Sequence, residues 1–233
     1  MRALLVHGAG GGAWEWQAWR PVLEAAGIAA EAIELEPAPG GLAATGYADY
    51  LAQVLEAGRG CEALVGASLG GLLAAEAASP LGVRALALVN PVPPAPWHRL
   101  LPERAWPKVV PWASTSTLEG TREALPDATE ETVREAARRW RDESGRVLAE
   151  AWAGRRVGRP QAALLVIAGA EDRDLPPAIA AALAHAWDAE YLELPGCGHL
   201  SPLLGRSAPA VAARVAEWVR EAGRRRAAEG VEG

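Results

Sequence analysis

Six stretches of strand length carry near-continuous apolar residues, at positions 3–7, 29–35, 63–67, 84–90, 162–168 and 189–194. Segments with helical spacing separate them, at 14–26, 46–57, 69–78, 177–187 and 209–222. Strands alternating with helices predict a parallel sheet with crossover helices on its faces. The run Ala163-Leu164-Leu165-Val166-Ile167 lacks any polar alternation, as a central strand covered on both sides requires. The expected fold class is α/β, with three layers, about six mostly parallel strands and flanking helices.

One interval breaks the rhythm. About 70 residues separate the strand ending at Asn90 from the one beginning near Ala162, far beyond an ordinary connection. An inserted helical cap over 91–160 is expected, with 1–90 and 161–223 forming the core and 224–233 a flexible tail. Within the cap, Asp127 with Glu130 reads as a capping-box variant opening a helix through Arg141, and a further helix is expected over 144–153.

The turn after the third strand reads Gly66-Ala67-Ser68-Leu69-Gly70 and leads into a small-residue helix. Seven serines in a chain with 25 glycines among 233 residues would give about 0.08 Gly-x-Ser-x-Gly matches by chance. A strand-to-helix turn with this spacing suits a nucleophile elbow. Ser68 is therefore the candidate nucleophile, and the Leu69 N–H, at the helix start, the first candidate oxyanion donor.

The loop after the first strand, His7-Gly8-Ala9-Gly10-Gly11-Gly12-Ala13, admits two chemistries. Gly8-x-Gly10-x-x-Ala13 fits a dinucleotide fingerprint, with Glu34 or Glu36 as the ribose-binding acid. The bulky continuation Trp14-Glu15-Trp16 opposes close approach to a pyrophosphate. Alternatively the loop supplies the second oxyanion donor, Ala9 N–H by preference and Gly10 as fallback, with His7 holding the loop.

A serine nucleophile needs an acid and a histidine base following it in sequence on this topology. Asp172, in Gly169-Ala170-Glu171-Asp172, is the preferred acid over Glu171 and Asp174, and His199, after Gly196-Cys197-Gly198, is the base. His98 and His185 are weaker candidates. Activity is expected to decline on acidification near the ordinary histidine pKa of about 6.5. Trp97, Trp106, Trp112, Trp140 and Trp152 all fall in the cap, as candidates for a substrate pocket or for packing alone.

Half the residues are apolar, enough for a sizeable core, and the net charge is -6. Basic residues gather only at Arg224, Arg225 and Arg226, to which no function is assigned, so no nucleic-acid partner is expected. No uncharged apolar stretch reaches membrane-spanning length and no signal-peptide core is present, so a cytoplasmic protein without a membrane partner is expected. Cys61 and Cys197 lack metal-site spacing and lie too far apart for an expected disulfide. No metal and no cofactor is expected, and a small molecule is the expected partner.

With these residues placed, the chain resembles the α/β-hydrolase family over nearly its full length, at His7-Gly8, the Ser68 elbow, the Gly169-x-x-Asp172 loop and Gly198-His199. The segment from Leu4 to Ala9 and on through Trp14-x-Trp16 is similar to the branch holding methyl esterases and hydroxynitrile lyases. That resemblance supports Ala9 as the second donor, and the expected function is a serine hydrolase of carboxylesterase type working through an acyl-enzyme, with the cap tryptophans pointing to a small apolar or aromatic ester. The lyase members carry lysine after the catalytic histidine, whereas this chain has Leu200, which disfavours cyanohydrin cleavage. A hydrolase-fold binding protein with little turnover, and a dinucleotide-binding oxidoreductase, are the alternatives.

Overall fold

Strands that are apolar at consecutive positions need cover on both faces. A computed structural model describes residues 1–229, with side chains through Arg224. The strands are β1 (Arg2–Val6), β2 (Ala29–Ile33), β3 (Ala63–Ala67), β4 (Ala85–Val89), β5 (Val109–Val110), β6 (Glu143–Ser144), β7 (Ala163–Gly169) and β8 (Glu190–Leu194). Six of them form one sheet in the order β2-β1-β3-β4-β7-β8, every neighbouring pair parallel, while β5 and β6 make a separate antiparallel pair. The helices are α1 (Arg20–Ala25), α2 (Tyr47–Ala57), α3 (Leu69–Leu81), α4 (Trp112–Thr115), α5 (Leu118–Ala124), α6 (Glu130–Arg139), α7 (Gly145–Trp152), α8 (Pro177–Ala186), α9 (Ser201–Leu204) and α10 (Ala208–Glu229).

Successive strand residues point to opposite faces, so Leu4 and Val6 enter one core layer and Ala3 and Leu5 the other. Side chains of α2, α3 and α8 complete the first layer, and those of α1 and α10 the second. The three-layer α/β arrangement is thus present. The long interval between β4 and β7 holds α4 to α7 and the β5–β6 pair.

Three local readings differ from the pattern-based expectation. The segment 14–26 is not one helix: a 3-10 turn (Ala13–Trp16) precedes α1, which starts at Arg20 with proline in its first turn. Helix α6 is capped by Thr129, whose side chain accepts the Thr132 N–H at 3.2 Å. Asp127 instead accepts from the Ser207 N–H (3.1 Å) and hydroxyl (2.9 Å), tying the interval to the segment before α10. Helix α10 runs to Glu229, so residues 224–229 continue a helix where a flexible tail was expected. The rest of that expected tail, 230–233, lies outside the described residues. Among the described residues no helix is long and apolar enough to cross a membrane.

The topology opens the site. From β1 the chain goes outward to the edge strand β2 and then returns to β3 on the other side of β1. Loops leaving the carboxyl ends of β1 and β3 therefore diverge and leave a crevice between them. His7 braces the first of these loops: its Nε2 accepts the Leu35 N–H (3.0 Å), so the proton resides on Nδ1, which donates to the Gly8 carbonyl (2.7 Å). Burial pushes this imidazole down from 6.5 to about 4, against the opposing pull of the Gly8 carbonyl.

Two predictions follow from this packing. Leu73, fully buried in α3, should cost about 2–5 kcal/mol of unfolding free energy when changed to Ala, read by urea denaturation. Unfolded His7 takes up a proton below about 6.5 and the native ring only below about 4, so stability owed to His7 falls as the pH falls through that window. Urea midpoints of wild type and His7→Gln at pH 7 and pH 4.5 (roughly the edges of that window) should show the larger acid loss in wild type. An equal loss in both would contradict a neutral buried His7.

Candidate active site

Ser68 follows the last residue of β3 and has φ 52° and ψ −119°, a conformation non-glycine residues rarely adopt. The surroundings hold it there. Its N–H donates to the Val89 carbonyl (3.0 Å), and its carbonyl accepts from the N–H groups of Val92 (2.9 Å) and Gly71 (3.0 Å). The flanking glycines have steric causes: a Cβ on Gly66 would run into the Gly70 carbonyl, and one on Gly70 into the Val6 and His7 carbonyls. The first turn of α3 consequently lies directly against β1 and β3. Leu69, its first residue, has an N–H with no intrahelical acceptor.

His199 lies in the loop after β8, and its Nδ1 is 2.7 Å from Asp172 Oδ2. Asp172 stands in the loop after β7 with a fully buried side chain; its Oδ1 accepts the N–H groups of Asp174 and Leu175, each at 2.9 Å. Burial alone would lower the His199 pKa, but the Asp172 carboxylate, with Asp174 and Glu15 beyond it, outweighs that and lifts it from 6.5 to about 9. The ring thus sheds its proton at higher pH than the ordinary histidine value.

Asn90 locks this loop to the sheet. It follows β4 with φ 42°; its Oδ1 accepts the Gly169 N–H (2.8 Å) and its Nδ2 donates to the His199 carbonyl (2.7 Å). Ser201 adds a second brace, its Oγ accepting the Gly198 N–H at 2.9 Å. The only sign of Asn90 in the sequence is one polar residue ending an apolar strand, at the sheet edge that also carries Ser68.

The turn after β1 borders the same space. Ala9 lies in the wall of a cavity of about 230 Å³ that also contains Ser68, Leu69 and His199. Gly10 is closed off as a fallback donor: its N–H goes to Glu143 Oε2 (3.0 Å) and its carbonyl accepts the Arg141 N–H (2.8 Å). Glu143 is itself buried, accepting from the Tyr50 hydroxyl (2.8 Å) and its neighbour Ser144 N–H (2.7 Å). This strap joins positions 133 residues apart, which no local pattern discloses.

Trp106, Trp112, Trp140 and Trp152 supply the far wall. They meet edge to face or tilted, Trp106 at 5.3 Å from Trp152 and 6.4 Å from Trp112, and Trp112 at 6.2 Å from Trp140. Trp97 stays outside, packed edge-on against Trp187 at 6.3 Å. His98 and His185 are also absent from the wall. Cys61 and Cys197 are buried free thiols, and Cys197 Sγ is 3.4 Å from the Ser207 hydroxyl.

Two other chemistries can be weighed on this geometry. Asp172, Asp174 and His199 bring ligand-type atoms within 4.8 Å of one another. Both Asp172 oxygens and the His199 Nδ1 are already paired, which makes this a hydrogen-bonded dyad in place of a cation cage. For a dinucleotide, the glycine loop should open a long helix, yet the four-residue 3-10 turn follows it, and Glu34 is engaged by the Ala13 N–H (2.9 Å) and the Arg141 guanidinium.

Among solved structures, polyneuridine aldehyde esterase superposes with a TM-score of 0.73 at 17% identity, over 94% of this chain and 98% of that one. A methylesterase from Arabidopsis gives 0.72 at 16% identity, over 94% and 99%. A pyrethroid hydrolase gives 0.70 at 23% identity, over 94% and 98%. These likenesses show a shared fold. No curated protein matches by sequence. Residues 3–215 match the alpha/beta hydrolase family, with the six-stranded parallel sheet and its flanking helices, and the chain belongs to that family.

Proposed function

We propose that this hydrolase acts on small carboxylic esters by nucleophilic catalysis at Ser68. The observation that carries the reading is that His199, paired with the buried Asp172 carboxylate, shares one cavity with a serine held in a strained turn. Ser68 Oγ attacks the ester carbonyl as His199 Nε2 takes its proton, and Asp172 holds the other ring nitrogen and stabilises the imidazolium. The carbonyl oxygen becomes an oxyanion bonded by the Leu69 and Ala9 N–H groups. Collapse breaks the bond to the alcohol, which leaves with the proton from His199. Water then attacks the acyl-serine with His199 again as base, releasing the acid and the serine.

The resemblance to methyl esterases and the esterase and hydrolase names of the structural neighbours agree with this chemistry. Four indoles in the cavity wall favour an apolar or aromatic substrate, and a volume of about 230 Å³ favours a small one. No step calls for a cofactor.

A fluorophosphonate probe should label wild type at Ser68 and leave Ser68→Ala unlabelled. On a panel of aryl esters of increasing acyl length, Ser68→Ala should lower turnover by roughly 10⁴- to 10⁶-fold. Wild-type turnover in that variant, or tight ligand binding without labelling, would exclude the mechanism. The base must be neutral, and its pKa is raised, so kcat/KM should fall with acidification along a limb lying above 6.5. A limb centred at or below that value would contradict the charge environment assigned to His199.

A further inference from the structure

Glu15 is a buried acid that this mechanism leaves without a role. It sits in the 3-10 turn Ala13–Trp16 and is 2% exposed, yet it forms part of the wall of the cavity holding Ser68 and His199. Its Oε2 accepts the Gly8 N–H at 3.2 Å, one residue before Ala9. Gly11 has no room for a side chain, because the three atoms nearest to where its Cβ would stand all belong to the Glu15 carboxyl group. The carboxyl is therefore bonded to one end of the turn and packed over the other, whereas an acid kept only for solubility would face water.

We propose that Glu15 is a positioning residue of this site: bonded to Gly8 and packed over Gly11, it anchors the turn carrying the Ala9 N–H and presents a further negative charge to His199 beside those of Asp172 and Asp174. The catalytic meaning of this inference rests on the serine-hydrolase reading; the electrostatic part concerns His199 alone.

The charges bearing on Glu15 are His199, Arg141 and Glu34, and those bearing on His199 are Asp172, Asp174 and Glu15. Burial pushes the Glu15 carboxyl up from 4.5 to about 7, with the Gly8 N–H and His199 opposing the rise. Since His199 is lifted further, Glu15 is ionised in the range where His199 exchanges its proton, and its charge favours the imidazolium. Nothing in the pair Trp14-Glu15 marks this acid in the sequence; it is the turn geometry that aims it inward.

The test is a titration of the His199 imidazole by NMR, independent of turnover, together with kcat and KM for an aryl ester. Glu15→Gln keeps an acceptor oxygen for Gly8 and removes the charge. Its His199 midpoint should fall by about half a pH unit or more, with the acid limb of kcat/KM moving the same way. Gly11→Ala displaces the carboxyl without removing it, so the midpoint should also fall, and kcat should drop about tenfold with KM little changed. An unmoved or raised midpoint in Glu15→Gln overturns the proposal; if that variant does not fold, the midpoint in Gly11→Ala decides in the same way. Failure of Ser68 labelling would overturn the hydrolase mechanism instead, and leaves the His199 titration readable.

Discussion

The arrangement depends on how closely α3 approaches β1 and β3 at the elbow. Gly66 and Gly70 stand where any Cβ would enter a backbone carbonyl, and this absence of side chains lets the helix begin immediately after Ser68. The unfavourable backbone of Ser68 is sustained by hydrogen bonds from Val92 and Gly71 and to Val89, all from segments anchored in buried apolar layers. Strain of this kind persists only when the surroundings over-determine it. Here the hydrophobic packing of a parallel sheet is converted into a half-buried serine facing a cavity at its carboxyl edge.

A second set of contacts couples the wall of the cavity to its floor. Gly10 is bonded through both its N–H and its carbonyl to the segment Arg141–Glu143, and Trp112 packs where a Gly10 Cβ would be. The indoles that shape the cavity and the turn that carries Ala9 are thus parts of one mechanical unit.

Two buried histidines show how the same low-dielectric setting gives opposite results. His7 is hydrogen-bonded to a carbonyl and an N–H, and the pull of the Glu34 carboxylate 3.8 Å away is opposed by Arg141, so burial prevails and the ring stays uncharged. His199 has the Asp172 carboxylate at 2.7 Å with further acids nearby, and their attraction exceeds the desolvation penalty. Sequence places both rings after strands in glycine-rich loops; their neighbours separate a brace from a candidate base.

Local order was legible where long apolar runs or a steric motif carried it, although the 14–26 segment divided into a 3-10 turn and a shorter helix. The six strands stand close to where the apolar runs put them, since burial on two faces leaves no polar positions to blur the signal. The glycines around Ser68 were readable because a steric need at fixed spacing writes itself into consecutive residues. Helix ends were less so: Asp127 had the composition of a cap, but Ser207, 80 residues on, offered it two hydrogen bonds. Gly10 was weighed as a donor until Glu143 took its N–H, and Trp97 was grouped with the pocket indoles until Trp187 claimed its face. Glu15 and Glu143 carried no sequence signature, and Asn90 only that of a polar residue ending an apolar strand. The sequence by itself determined the alternation of strands and helices, the glycine-flanked turn at Ser68 and the placing of Asp172 and His199 in loops after later strands, because those depend on neighbours in the chain. The tertiary structure alone decided which polar groups meet inside the cavity, because hydrogen bonding and desolvation act between residues that only folding brings together.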